Sequence, residues 1–172
     1  ALAAPFLCPA SERKGEFMKR PFALSPRLQA IAKLVPQGSQ LADVGTDHGR
    51  LPVWLIQQGI ISGAVASDLR PGPLSRAREL AQRWGVEEQI SFRLCDGLSE
   101  ISPQEVQVVT ITGMGGETIA AILHNARWPK DQKHKYILQP MSGADGLRRF
   151  LSNHGYNICQ EILIPEDETL YI

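Results

Sequence analysis

From Leu24 onward, segments whose apolar residues recur at helical spacing alternate with short apolar segments typical of buried strands. The connections are short, and strand–helix–strand units joined in this way form parallel sheets. We therefore expect one α/β domain with a mostly parallel, doubly wound sheet and a short helical segment in front of it.

Five strand candidates alternate with helix candidates. The predicted strands are QLADVG, GAVASD, ISFRLCDG, VQVVTITGMGG and KYILQP. The predicted helices are SPRLQAIAKLVP, LPVWLIQQG, GPLSRARELAQRWG, ETIAAILHNA and ADGLRRFLSNHG. In the first helix, Ser25 fits the N-cap, Pro26 the first helical position and Pro36 the end. The segment NICQEILIPEDETLYI predicts a closing β-hairpin.

Composition narrows the functional classes. The chain has 172 residues, which is enough for one domain with a sizeable core. No apolar run is long enough to cross a bilayer, so we predict no membrane partner. The formal net charge is zero, which does not indicate a general polyanion binder but leaves a local basic face open. The three cysteines form no CxxC pair, so we predict no metal site and a cytoplasmic location.

Residues 1–17 fit the rest of the chain poorly. They begin with apolar residues but lack the basic start of a signal peptide, and Met18 follows them. We expect residues 1–17 to be an upstream or non-native extension, and the functional domain to span residues 18–172.

Ligands of open parallel sheets lie beyond the carboxyl ends of the strands, so the residues that follow each predicted strand indicate the site. Three of the five strand ends carry a carboxylate and three carry glycine. Each of these residues alone is also typical of an ordinary turn or helix cap. Their order along the chain predicts a single pocket. Its candidate residues are Asp43, Gly45, Asp47 and His48, then Asp68, then Asp96 and Gly97, then Gly113, Met114, Gly115 and Gly116, then Gln139 and Pro140.

The stretch LADVGTDHGRLP does not match the common phosphate-binding loops, because GxGxxG and GK[ST] are both absent and its carboxylates would repel a pyrophosphate. A cationic ligand with hydroxyls and an amine fits better, and S-adenosylmethionine is such a ligand. Gly45 would let the backbone approach it, and Asp43 or Asp47 would accept from its ammonium group. Asp68 is placed for the ribose hydroxyls, and Asp96 for the adenine amine. His48 either joins this pocket or caps the next helix.

Six segments together resemble the TrmK family of bacterial tRNA (adenine-N1)-methyltransferases, which act on adenine 22. They are LSPRL, LADVGTDHGRLP, CDGLS, ITGMGGETI, ILQP and LRRFL. The resemblance runs from about Leu24 to the end of the chain. It implies a Rossmann-like class I fold with a seven-stranded sheet whose last strand is antiparallel. It also implies S-adenosylmethionine as methyl donor, S-adenosylhomocysteine as product and N1 of a tRNA adenine as acceptor.

The resemblance also implies site residues. The cofactor contacts carried over by motif are Asp43, Gly45, Thr46, Asp47, His48, Asp68, Asp96, Gly97 and Gly113. The residues expected at the reacting atoms are Asp47, Gly113, Met114 and Gly115. The Asn/Asp-Pro-Pro-aromatic motif of many amino-methyltransferases is absent, which fits a ring nitrogen as acceptor. Neutral adenine has a free lone pair at N1, so we expect no strong general base, and Asp47 is the first carboxylate to test.

Basic residues predict where RNA would bind, although a solvated charged surface is the alternative. The predicted contacts are Lys19, Arg20, Arg27, Arg50, Arg127, Lys130, Lys133 and Lys135. Tyr is frequent in the family at the position of Arg50, so Arg50 either changes the pocket rim or reaches a phosphate. The family has a C-terminal helical region thought to hold tRNA, and we expect this chain to lack it. The target adenine must be unpaired or flipped out.

Two other functions remain open from the sequence. One is a methyltransferase whose acceptor is a small molecule or a protein, which the neutral net charge allows. The other is a non-catalytic module that binds S-adenosylmethionine or a nucleotide.

Overall fold

The computed structural model describes residues 22–126, 128, 133–166 and 169–171. The predictions for residues 1–17 and for Lys19, Arg20, Arg127 and Lys130 lie outside the described residues.

A five-stranded parallel sheet forms the centre of the molecule. Its strands are β1 (Gln40–Val44), β2 (Gly63–Asp68), β3 (Ile90–Leu94), β4 (Val108–Gly115) and β5 (Lys135–Ser142). The order across the sheet is β3-β2-β1-β4-β5, and all four pairings are parallel. The five predicted strands and the doubly wound topology are confirmed. The chain changes direction across the sheet between β1 and β4, which is where open α/β sheets place their ligands.

Helices cover both faces of the sheet. They are α1 (Pro26–Leu34), α2 (Arg50–Gln57), α3 (Pro71–Arg83), α4 (Gly116–Asn125) and α5 (Ala144–Asn153), with a 3₁₀ turn at Glu87–Gln89. Successive strand residues point to opposite faces, so Leu41 packs into the core beside α1, α2 and α3, and Ala42 into the core beside α4 and α5. The predicted cap of α1 is confirmed, because the Ser25 hydroxyl accepts from the Leu28 N–H at 3.4 Å.

The closing hairpin forms a sheet of its own. Strands β6 (Ile164–Glu166) and β7 (Thr169–Tyr171) pair antiparallel to each other and are separate from the main sheet. The predicted hairpin is confirmed and its two strands are antiparallel, but a seven-stranded sheet that ends in an antiparallel strand is wrong for the described residues, because the hairpin forms a separate pair. Pro165 in the middle of β6 has no N–H to donate to a ladder, which favours a short pair, and this pair packs against α1.

Within the described residues, none of the helices has the length and apolar character needed to span a bilayer.

Candidate functional site

A cavity of about 780 Å³ lies at the carboxyl ends of the strands, around the point where strand order reverses. It is lined by residues in the carboxyl-terminal parts of β1, β2 and β4 and in the turns after β1, β2 and β3, together with residues of α1, α2 and α4. The predicted site residues in its wall are Asp43, Gly45, Thr46, Asp47, His48, Asp68, Asp96, Gly97, Gly113 and Met114. Four other candidates are not among the lining residues: Gly115 and Gly116, which begin α4, and Gln139 and Pro140, which lie in β5. The structure therefore brings together four segments far apart in the sequence.

The loop after β1 turns sharply under the cavity. Gly45 has φ +69°, and the Gly45 and Thr46 N–H groups both donate to the Ser67 carbonyl at 2.9 Å. A Cβ atom on Gly45 would lie 2.0 Å from the methyl carbon of Met114. The lack of a side chain at Gly45 therefore allows the turn and lets Met114 lie directly against it.

Asp43 lies beneath this loop and is only 4% exposed. Its two carboxylate oxygens accept hydrogen bonds from the Thr46 and Thr110 hydroxyls, each at 2.7 Å. Burial raises the pKa of Asp43 above its usual range, the two hydroxyls oppose the rise, and the charge of Asp68 adds to it. Asp43 thus joins the loop to β4, and its contact with a bound ammonium group stays a prediction.

Asp68 ends β2 with its carboxylate held by backbone donors. Oδ2 accepts from the Asp47 N–H at 3.4 Å, and Oδ1 accepts from the Arg70 N–H at 3.0 Å. Each carboxylate oxygen has two lone pairs, so both can still accept from a ligand hydroxyl. Asp68 is thus a fixed, doubly accepting group in the cavity wall, suited to a pair of neighbouring hydroxyls.

Asp47 and His48 lie at the mouth of the cavity. Asp47 adopts a left-handed conformation with φ +52°, which aspartate tolerates better than most residues. Its carboxylate is 2.6 Å from His48 Nδ1 and 3.7 Å from Arg76 Nη2. The alternative that His48 caps α2 is wrong, because the N-cap is Gly49 and no side chain bonds there.

The ends of β3 and β4 complete the wall. Gly97 has φ +56°, and a Cβ atom there would lie 2.9 Å from Ile122 Cγ2, so Gly97 lets the turn pack against α4. Gly113 has φ +76° and lies in a β-bulge of β4, where the register with β5 passes from Thr112 to Met114. Such a bulge redirects the following side chain, and Met114 points to the loop after β1.

Arginine side chains surround the acidic wall. Arg27, Arg50 and Arg70 line the cavity. Arg76 does not line it, but its Nη2 lies 3.7 Å from the carboxylate of Asp47, which does. Arg50 donates to the Ala23 carbonyl at 2.8 Å and lies over the Phe22 ring. Arg70 and Arg76 are not predicted by the local sequence patterns, although the position of Arg70, two residues after Asp68, is an available signal.

The predicted RNA contacts do not share one surface. Arg27 lines the cavity but also donates to Gln139 and Glu166 within the chain. Lys133 and Lys135 lie at the start of β5, and Lys135 Nζ donates to the Leu34 carbonyl at 2.7 Å. An eight-residue strand spans roughly 25 Å. These lysines therefore lie by the amino-terminal ends of the strands, far from the cavity at the carboxyl ends. Their contact with RNA stays a prediction.

Among the residues that the structure describes, no three His, Cys, Asp or Glu side chains are grouped closely enough to hold a metal ion. The polar groups in the cavity wall are carboxylates, turn amides and arginines.

Comparison with known proteins gives consistent matches. Residues 24–172 match the family described as "Methyltransferase domain". A Bacillus subtilis protein named tRNA (adenine(22)-N(1))-methyltransferase is 36% identical over 148 residues, which cover 86% of this chain and 62% of that protein. The chain thus spans less than two thirds of that relative.

Two solved structures are also similar. A Streptococcus pneumoniae putative tRNA (m1A22) methyltransferase in complex with S-adenosyl-L-methionine is 38% identical, with a TM-score of 0.81 over 87% of this chain and 70% of that chain. M. capricolum TrmK in complex with S-adenosyl-homocysteine is 36% identical, with a TM-score of 0.76 over 86% of this chain and 66% of that chain.

Proposed function

We propose that this chain, which belongs to the methyltransferase domain family and within it to the TrmK family, methylates N1 of adenine 22 in tRNA with S-adenosylmethionine as donor. Its fold is the Rossmann-like fold of this family, with a parallel sheet between two layers of helices. The observation that carries the proposal is the cavity at the reversal of strand order, whose wall is acidic and whose rim carries arginines.

The wall fits the chemical groups of the donor. Asp68, held by two backbone N–H groups, would accept from the ribose hydroxyls. Asp96 and Gly97 would face the adenine, and the carboxylates after β1 would face the ammonium and sulfonium charges. Gly45 leaves the space that Met114 occupies beside the loop after β1, which brings the bulge of β4 next to the expected donor contacts. When bound, S-adenosylmethionine supplies an electrophilic methyl group carried on a sulfonium.

The chain's own task is to position the acceptor. Because neutral adenine has a free lone pair at N1, no proton has to be removed before the methyl transfer. Holding two reactants in the correct geometry is worth about 7–11 kcal/mol in favourable cases. The bulge at Gly113 and Met114 lines the cavity beside the loop after β1 and would orient the base. Asp47, 62% exposed at the mouth, is the nearest candidate to stabilise the positive charge that the base acquires.

The arginine rim supports a polyanionic acceptor. Guanidinium groups bind phosphate through paired N–H donors, and Arg50 and Arg70 both line the cavity mouth. An uncharged small acceptor would not need them. The target adenine would have to be unpaired or flipped out to reach this depth. We accordingly expect the enzyme to act in the cytoplasm, where tRNA matures.

The decisive experiment measures transfer of labelled methyl groups from S-adenosylmethionine to tRNA transcripts by the full 172-residue chain. Enzyme should be in excess and salt low, because phosphate contacts weaken steeply as salt rises. We expect label on a transcript with adenine at position 22 and a block to primer extension there, since a methyl group at N1 occupies the pairing edge.

The matched control is the same transcript with guanine at position 22, which should stay unlabelled. Equal labelling of both transcripts would contradict the proposed acceptor. Binding of S-adenosylmethionine without transfer to any RNA, protein or small acceptor would indicate a non-catalytic binding module instead.

A further inference from the structure

Gln139 is a buried polar side chain that the proposed reaction does not yet use. It is 1% exposed and lies in β5 beside the bulge of β4, whose residues Gly113 and Met114 line the cavity. Its Oε1 accepts from the Gly113 N–H at 3.1 Å and from Arg27 Nη1 at 2.8 Å. Its Nε2 donates to the Pro140 carbonyl at 2.9 Å and lies 3.7 Å from Met141 Sδ. Both ends of the amide therefore have partners.

These partners fix the orientation of the amide. Two donors, the Gly113 N–H and the Arg27 guanidinium, face one end, while an acceptor carbonyl faces the other. A reversed amide would place its NH₂ group against both donors. The hydrogen bonds thus require an oxygen at this position of β5, and a residue of the same size without one would leave a buried N–H unpaired.

The bulge explains why the Gly113 N–H needs this oxygen. Thr112 pairs with Gln139 and Met114 pairs with Pro140, so Gly113 has no partner residue in β5. The Gln139 side chain takes the place of the missing backbone carbonyl. It thereby holds Gly113 at φ +76° and directs Met114 against Gly45, where the donor and the acceptor would meet.

The same oxygen connects the bulge to more distant parts of the chain. Arg27, which donates to it from α1, also contacts Glu166 in β6 through Nε at 3.3 Å and lies over the Tyr171 ring in β7. Gln139 and Arg27 thus join the acceptor wall to α1 and to the hairpin.

We infer that Gln139 is a positioning residue for methyl transfer: it sets the Gly113–Met114 bulge that orients the acceptor, and it contributes little to binding of the donor. This inference rests on the proposed function. Asp68, Asp96 and the loop after β1 bear the expected donor contacts, and none of them hydrogen-bonds to Gln139. The rate of transfer and the affinity for the donor should therefore respond differently to changes at this position.

The test compares Gln139→Leu, which removes the oxygen, with Gln139→Glu, which keeps an acceptor for both donors. With tRNA as acceptor, we expect kcat to fall at least tenfold in Gln139→Leu and by a smaller factor in Gln139→Glu, which keeps the acceptor for Gly113 and Arg27 but loses the donor to the Pro140 carbonyl. The Kd for S-adenosylmethionine should stay within threefold in both variants. The control is Ser39→Ala, a buried polar residue just before β1, at the end of the sheet away from the cavity. This variant loses a hydrogen bond to the Pro36 carbonyl and should keep kcat.

Two further measurements cover loss of folding and loss of activity. If Gln139→Leu does not fold, Gln139→Asn keeps the amide but shortens its reach, and it should lower kcat without changing the donor Kd. The ¹³C-methyl signal of Met114 should shift in Gln139→Leu or Gln139→Asn but not in Ser39→Ala, and this readout needs no substrate.

The inference is overturned if the folded Gln139→Leu or Gln139→Asn variant keeps wild-type kcat, or if donor affinity falls as much as kcat. An unmoved Met114 signal would also overturn it. An inactive wild type whose Met114 signal still shifts in Gln139→Leu would instead contradict the proposed function and leave the positioning role of Gln139 supported.

Discussion

On the β1–β2–β3 side of the cavity, carboxylates directly follow the strands and backbone N–H groups hold Asp68 in place. On the β4–β5 side, a strand bulge is held by one buried side chain whose partners come from α1 and β4. The first side thus depends mainly on backbone donors in the turns after β1 and β2, and the second on a side chain that joins α1 to β4. Donor binding and acceptor orientation should therefore be separable by mutation.

The largest expected effect is on the donor side. Asp68→Ala removes a carboxylate placed for two hydroxyls, and hydrogen bonds to charged groups contribute about 1.5–3 kcal/mol each. We expect the affinity for S-adenosylmethionine, measured by titration calorimetry, to fall at least about 100-fold. Glu79→Ala, which removes an exposed carboxylate from α3, is the matched control and should leave it unchanged. Unchanged affinity in Asp68→Ala would remove this residue from the site.

Gly45→Ala tests the contact between the two sides. The new Cβ would lie 2.0 Å from the Met114 methyl carbon, which can move because it ends a flexible side chain. Gly59→Ala is matched in backbone strain, with φ +65° against +69°, but its Cβ meets nothing within 4 Å. Each variant should lose about 1 kcal/mol of stability in urea unfolding, and Gly45→Ala alone should slow methyl transfer, by about tenfold. Equal activity in the two variants would contradict a role for the Gly45–Met114 contact.

A smaller effect is expected at the rim. Arg70→Ala should weaken RNA binding severalfold and reduce the slope of log K against log salt by about 0.7–0.9, as loss of one phosphate contact does. Arg83→Ala, in the last turn of α3, is the control with the same loss of charge. Salt titrations of RNA binding measure both. The same slope in Arg70→Ala as in wild type would place the phosphate contact elsewhere.

The smallest expected effect is on how the stability of the protein changes with pH through Asp43. Hydrogen bonds from two threonine hydroxyls partly offset the cost of burying its carboxylate. Because the pKa of Asp43 in the folded protein lies above the usual 3.8, the folded state binds the carboxyl proton more tightly than the unfolded chain does. The stabilisation from Asp43 is therefore complete below pH 3.8 and is lost as pH rises through the folded pKa. We therefore expect the free energy of unfolding of Asp43→Asn to increase relative to that of wild type as the pH rises from 4 to 7. Parallel curves for the two proteins would contradict this assignment.

The same contrast explains what the sequence could predict. The donor side follows from residues that come directly after predicted strands, and all nine predicted cofactor contacts line one cavity. The alternation of helical and strand patterns likewise predicts the five main strands and five helices in their order along the chain. The strand ends and the alternation depend on local patterns, which a single sequence displays, and the full set of nine contacts also rests on the resemblance to the TrmK family.

The acceptor side depends on tertiary contacts that a single sequence does not display. Gln139 lies 112 residues from Arg27, and Arg27 lies 139 residues from Glu166. Nothing local distinguishes Arg27, predicted to contact RNA, from an arginine that bonds within the chain. The same limit applies to Lys133, whose charge is evident but whose position at the end of the sheet away from the cavity depends on where β5 begins.

The Arg27–Glu166 contact also bears on the order in which the site forms during translation. Ribosomes add about 5–20 residues per second, so roughly 7–28 seconds pass between synthesis of these two partners, 139 residues apart. All the predicted donor contacts are synthesised before Glu166. A nascent chain could therefore complete its donor pocket while Arg27 still lacks its carboxylate partner, so donor binding would precede the finished acceptor wall.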